Sequence, residues 1–141
     1  MFWDSSALVP LLLPEASSSA LTRRLHGDPA PAVWWASPVE CRSALHRRHR
    51  EGLVSDKTLR GATSRLDALI ESVDTVPPTD MVRARAARLL ASHPLSAADA
   101  LQLAAALSWC EEATAGEAFV SLDRRLCEAA RREGFVALPA E

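Results

Sequence analysis

A chain of 141 residues, 48% hydrophobic and 24% charged, is sized for one domain (1–141) that buries about two thirds of its unfolded surface. A net charge of −2 excludes a protein that holds nucleic acid by bulk electrostatics alone. Apolar runs such as Ala7 to Leu13 fall well short of the roughly 20 residues of a membrane span, so no membrane partner is expected. No charged leader precedes a hydrophobic core, and the expected location is cytoplasmic. Cys41, Cys110 and Cys127 are odd in number and form no C-x-x-C pair, which argues against a disulfide framework or a zinc site.

In chain order, Phe2 to Asp4 reads as a strand and the residues to Leu13 as a short helix. A second helix runs from Glu15 to His26 and breaks at Gly27-Asp28-Pro29. Val33 to Ala36 is a strand. Ser37-Pro38-Val39-Glu40 then looks like a helix start, with a cap, a proline in the first turn and a reciprocal Glu. That helix ends near Glu51. Leu59, Ala62, Leu66, Leu69 and Ile70 repeat at helical spacing within Ser55–Ser72. Val73 to Val76 is a third strand, and Thr79 caps the next helix. An almost wholly apolar helix spans Ala97 to about Cys110. Ala118–Ser121 is a strand, Asp123–Glu133 a helix, and Phe135–Ala137 a final strand. Strands alternating with helices predict an α/β fold, a parallel sheet covered on both faces. Trp34 and Trp35, adjacent on a strand, would point into the two helical layers, and Trp3 and Trp109 also read as core.

All basic residues but Lys57 are arginines, grouped at Arg42–Arg50, Arg83–Arg88 and Arg124–Arg132. Solvated helix faces account for most such groups, although the guanidinium fork also suits phosphate. His46 and His49 sit among the first group and share that reading.

Four acids carry the chemistry. Each alone has an ordinary explanation: Asp4 and Asp123 as helix caps, Glu40 and Asp99 as the acids of capping boxes with Ser37 and Ser96. Position argues for more. Asp4 follows the first strand, Glu40 the second and Asp123 the fourth, all at the carboxyl edge where parallel sheets build sites. Asp99 opens an apolar helix with no basic residue within a turn, so its burial would demand a partner. Carboxylates gathered at one edge repel one another, and Mg²⁺ or Mn²⁺ relieves that repulsion.

Asp4-Ser5-Ser6-Ala7-Leu8 through Pro14-Glu15, Val39-Glu40, Leu95 through Ala104 around Asp99, and Phe119 through Leu126 around Asp123 together resemble the PIN domain. Within it they look most like the VapC-type toxins of bacterial toxin–antitoxin pairs. The resemblance implies a five-stranded parallel sheet in the order 3-2-1-4-5, flanked by helices on both faces. It also implies a Mg²⁺- or Mn²⁺-dependent endoribonuclease with the quartet Asp4, Glu40, Asp99 and Asp123. Asp4 and Asp99 would hold the principal metal, and the Ser6 and Ser121 hydroxyls would support. RNA would be cut by metal-activated water, with a cognate antitoxin as partner and a homodimer as a possible assembly. No role attaches to Gln102. An inactive PIN-like scaffold binding RNA or protein and a structure-specific DNA nuclease are the alternatives. An aspartyl-phosphate phosphatase would want a carboxylate where Ser6 stands.

Overall fold

The computed structural model describes residues 1–139. Five short strands, β1 (Phe2–Trp3), β2 (Ala32–Trp34), β3 (Asp74–Val76), β4 (Ala118–Val120) and β5 (Val136–Leu138), pair in parallel in the order β3-β2-β1-β4-β5. This is the expected 3-2-1-4-5 sheet, with β1 in the middle. Seven helices cover it: α1 (Ser5–Leu12), α2 (Ser18–His26), α3 (Ser37–Arg50), α4 (Asp56–Glu71), α5 (Asp80–Ser92), α6 (Ala97–Trp109) and α7 (Arg124–Arg132).

Successive strand residues point to opposite faces, and the sequence uses that step to build two cores. Phe2, Ala32, Trp34 and Phe119 face α5, α6 and α7. Trp3, Val33 and Val120 face α1 to α4. Each strand is only two or three residues long, so stability rests on side chains rather than ladder length. Phe119 stacks on Phe2 at 5.6 Å between ring centroids and meets Phe135 at 5.8 Å. Ala100, Ala104, Ala105 and Ala106 of α6 are fully buried, which brings that helix close against the sheet and α5. The Trp3 indole N–H donates to Asp28 at 2.9 Å, fixing the first strand to the loop before β2.

Several local expectations differ from the structure. Asp4, Ala36 and Ser121 lie just beyond their strands rather than in them. The second helix starts at Ser18 rather than Glu15, whose backbone N–H instead donates to Ser18 Oγ. Ser37 is not a cap: Ala36 occupies that position, no side chain caps α3, and Ser37 is buried inside the first turn. Trp35 leaves the ladder after its N–H bonds Val76 O, and its side chain is 58% exposed instead of packing into a core. The strand ends one residue too early to aim it inward.

Truncating Phe119 removes the ring that joins Phe2 to Phe135. Phe119→Ala should cost about 3–5 kcal/mol in urea unfolding, whereas Leu90→Ala, on the outer face of α5 and 46% exposed, should stay within about 0.5 kcal/mol.

Candidate active site

In the order β3-β2-β1-β4-β5 the chain crosses to opposite sides of β1, and such switch points open a crevice at the carboxyl edge. Asp4 stands there. Its N–H still completes the ladder to Val120 O at 2.9 Å, while its side chain turns to cap α1. Because Trp3 pairs with Val120, the next residue on each strand, Asp4 and Ser121, come side by side.

Among the described residues, one oxygen of the Asp4 carboxylate carries all of its side-chain hydrogen bonds. Oδ2 accepts from Ser6 N–H at 3.1 Å, Ser6 Oγ at 2.5 Å and Ser121 Oγ at 2.9 Å. A serine has one hydroxyl hydrogen, so both are spent on Asp4, and the 3.1 Å approach of the two hydroxyls is a consequence of their shared acceptor. Both serines also accept. Leu122 N–H donates to Ser6 Oγ at 2.8 Å and Asp123 N–H to Ser121 Oγ at 3.0 Å. The loop after β4 is thereby fastened to the start of α1 through one carboxylate oxygen. Asp4 is 4% exposed, and burial pushes its carboxyl above the ordinary value; the serine hydrogen bonds oppose that rise and the charge of Asp99 adds to it.

Glu40 lies in the first turn of α3 and meets Gln102, one turn after Asp99 on α6. Gln102 is fully buried. Its Nε2, with two hydrogens shared among three acceptors, lies 2.8 Å from Ser5 Oγ, 3.1 Å from Ser37 Oγ and 3.3 Å from Glu40 Oε2, while its Oε1 is buried without a partner among the described residues. The amide orientation follows from Glu40, which can only accept when ionised. Burial raises the Glu40 carboxyl as well, hydrogen bonding from Gln102 and Ser5 draws it back, and the charges of Asp4 and Asp99 push it further up. The same two carboxylates, Glu40 and Asp4, act on the thiol of Cys41, which burial above all pushes up to about 12.

Three of the four expected acids, Asp4, Glu40 and Asp99, therefore share one electrostatic neighbourhood. Asp99 reaches it from a half-buried position, since the first turn of α6 is open to solvent; the desolvation foreseen for it falls on Asp4 instead. Its backbone N–H is capped by Ser96 Oγ at 3.1 Å. Asp123 stands at the margin. Its Oδ1 accepts from Leu126 N–H at 2.9 Å as the cap of α7, and its tie to Asp4 runs through Ser121. Among the described residues, no group of three His, Cys, Asp or Glu side chains is placed to hold one ion. His49 pairs with Asp56 at 2.6 Å and His46 is exposed, which leaves the solvated reading of both.

A family model described as PIN domain matches residues 1–132. The chain belongs to the PIN domain family. Among solved structures it is similar to Mycobacterium tuberculosis VapC20, described as a Sarcin-Ricin loop cleaving toxin. That similarity has a TM-score of 0.66 and 20% identity, covering 96% of this chain and 95% of the other. It is also similar to PAE2754 from Pyrobaculum aerophilum, with a TM-score of 0.64, 19% identity, and 97% and 87% coverage. At such identities the likeness is one of fold. A search of curated proteins returns no match. Among the described residues of this PIN domain no helix is long and apolar enough to cross a membrane.

Gln102 is the residue that sequence reasoning passed over. Its signal was present: one amide in the apolar run Ala100 to Leu107, three residues after Asp99 and so on the same helix face. Gln102→Leu, similar in size, should cost about 1–3 kcal/mol in chemical denaturation, because Glu40 and two serines lose a buried donor.

Because the folded-state pKa of Asp4 is raised, its contribution to stability is present below pH 3.8, the ordinary value, and is lost as pH climbs through the folded value. Asparagine keeps an oxygen for the serines and carries no charge. In EDTA at neutral pH, Asp4→Asn should therefore melt higher than wild type by about 4 °C per kcal/mol gained, and differential scanning calorimetry should show that margin shrinking toward pH 4.

Proposed function

We propose that this PIN domain is a Mg²⁺- or Mn²⁺-dependent endoribonuclease, the toxin of a VapBC-like toxin–antitoxin pair acting in the cytoplasm. The observation that carries the reading is the division of labour within Asp4. Three donors hold Oδ2, and Oδ1 has no donor among the described residues, with Glu40 and Asp99 in electrostatic reach.

The donor set fits a hard cation. All the candidate ligands are oxygens, and Mg²⁺ takes one or two carboxylates while keeping several waters. A pair such as Asp4 and Asp99 suits that habit better than a closed protein cage. When bound, the ion supplies an acidified water and electrophilic stabilisation of charge on the phosphate. The chain's own residues set the stage. Ser6 and Ser121 fix the direction of Asp4, Gln102 steers Glu40, and Asp123 borders the site at the head of α7. The Cys41 thiol, buried and with its pKa near 12, is no nucleophile at neutral pH. Water attack in line leaves a 5′-phosphate and a 3′-hydroxyl.

A groove of about 410 Å³ opens beside the acids, lined by Ser5, Ser6, Val9, Val39, Glu40 and Arg47 among others. It fits an antitoxin segment that lays apolar side chains on Val9 and Val39 and directs a basic group toward Glu40. An inactive scaffold is the second reading, favoured by the commitment of Asp123 Oδ1 to its own helix.

Purified protein incubated with RNA and with DNA, in Mg²⁺ or in EDTA, separates these readings. RNA cleavage that EDTA stops, with end sequencing showing 5′-phosphate products, is the expected result. Asp4→Asn and Asp99→Asn should each cut at least about 100-fold more slowly while circular dichroism remains that of wild type. Full activity in either variant would sink the mechanism, and a wild type that binds RNA without cutting it would select the scaffold.

A further inference from the structure

The three arginine groups differ in how they are neutralised. In the second, Arg83 pairs with Asp80, Arg85 with Glu112 on the turn after α6, and Arg88 with Glu133. In the first, Arg42 pairs with Asp67 of α4 and Arg48 with Glu15, while Arg47 and Arg50 have no ion pair among the described residues. In the third, on α7, Arg132 pairs with Glu128 of the same helix, while Arg125 and Arg131 have no ion pair among the described residues.

At 3.6 residues per turn, Arg131, Arg124, Glu128, Arg132 and Arg125 fall in that order around a stripe about 120° wide. All five are exposed, whereas Leu126, Cys127, Ala129 and Ala130 take the buried side. Glu128 answers Arg132, and Arg125 and Arg131 put two further positive charges on a helix of a chain whose net charge is −2. The helix dipole welcomes cations at the last turn, which accounts for Arg131 and Arg132. It opposes them at the first turn, where Arg124 and Arg125 stand. Local placement that runs against such a preference marks a functional position more often than a neutral one.

The stripe also begins at the acids. Arg124 follows Asp123, whose N–H is bonded to Ser121 Oγ, which in turn donates to Asp4. Two concave surfaces flank it, one of about 430 Å³ bounded by His93, Pro94, Arg125, Glu128 and Arg132, the other of about 530 Å³ bounded by Arg124, Arg125, Glu128 and Arg131. Polyanion binding needs guanidinium forks at the surface, beside a groove and not already satisfied by carboxylates, and within this stripe Arg125 and Arg131 meet that need among the described residues.

We propose that the outer face of α7 is a docking track for the phosphate backbone of single-stranded RNA, with Arg125 and Arg131 as its contacts and Asp123 marking where the strand turns toward Asp4. The inference rests on the ribonuclease reading for its choice of polyanion. A single strand is required because Asp4 is recessed, and only a flexible backbone can bring a phosphate down to it.

The test uses Asp4→Asn protein in EDTA, so that binding is read without cleavage. A fluorescein-labelled single-stranded RNA of about 20 nucleotides is titrated by anisotropy between about 50 and 200 mM KCl. With Arg125→Ala and Arg131→Ala combined, affinity should fall about tenfold, and the slope of log K against log salt should flatten by about 1.4, from about 0.7 per phosphate contact on a single strand. Arg60→Ala, an exposed arginine of α4 on the other face of the sheet, should leave both nearly unchanged. A double variant that matches Arg60→Ala overturns the track, as does loss of poly-glutamate binding with RNA binding intact, which would give the face to an acidic protein. Cleavage by wild type is scored separately. RNA binding lost in the double variant while wild type cuts nothing keeps the track and removes the nuclease. Normal cleavage with undiminished binding removes the track alone.

Discussion

Three donors on a single carboxylate oxygen organise this molecule. Asp4 Oδ2 takes the Ser6 amide in the first turn of α1, the hydroxyl of the same residue and a hydroxyl delivered from the end of the neighbouring strand. Each bond to a charged acceptor is stronger than a neutral one, and together they tie the central strand, the first helix and the loop after β4. They also decide the chemistry. An acid buried for stability alone would have both oxygens satisfied or be replaced by something apolar. Among the described residues one oxygen takes all three donors and the other, at the crevice, takes none.

Charge is segregated around that point. Negative side chains from the residue after β1, from α3 and from α6 repel one another at the sheet edge, and positive ones gather on the adjoining helix. The small overall charge hides this arrangement, because distant ion pairs such as Arg42 with Asp67 and Arg85 with Glu112 cancel. For a polyanionic substrate the relevant quantity is the local field, which clefts concentrate.

Much of the architecture was legible in the chain. Apolar periodicity located six helices closely, and the side-chain caps at Asp4, Ser55, Thr79, Ser96 and Asp123 are those that turn chemistry predicts. Strand order came from resemblance to the PIN domain, since pairing between β1 and β4 depends on residues more than a hundred positions apart. The failures share a physical root. Ser37 fits a cap by local pattern, yet Gln102 arrives from α6 and takes its hydroxyl. Asp99 looks buried because its helix is apolar, yet the first turn projects past the sheet. Trp35 alternates with Trp34 only while the strand lasts. In each case a tertiary contact or an element boundary overrode a pattern that was read correctly.

Gln102 joins what the sheet keeps apart. Its amide leaves the layer of α5, α6 and α7 and grips the first residues of α1 and α3 on the opposite side. The strands that also join the two layers are only two or three residues long. Slippage of one layer against the other would therefore tear this clasp while both cores were still dry. Its loss would free the head of α6, which carries Asp99, to shift against the heads of α1 and α3, which carry Ser6 and Glu40.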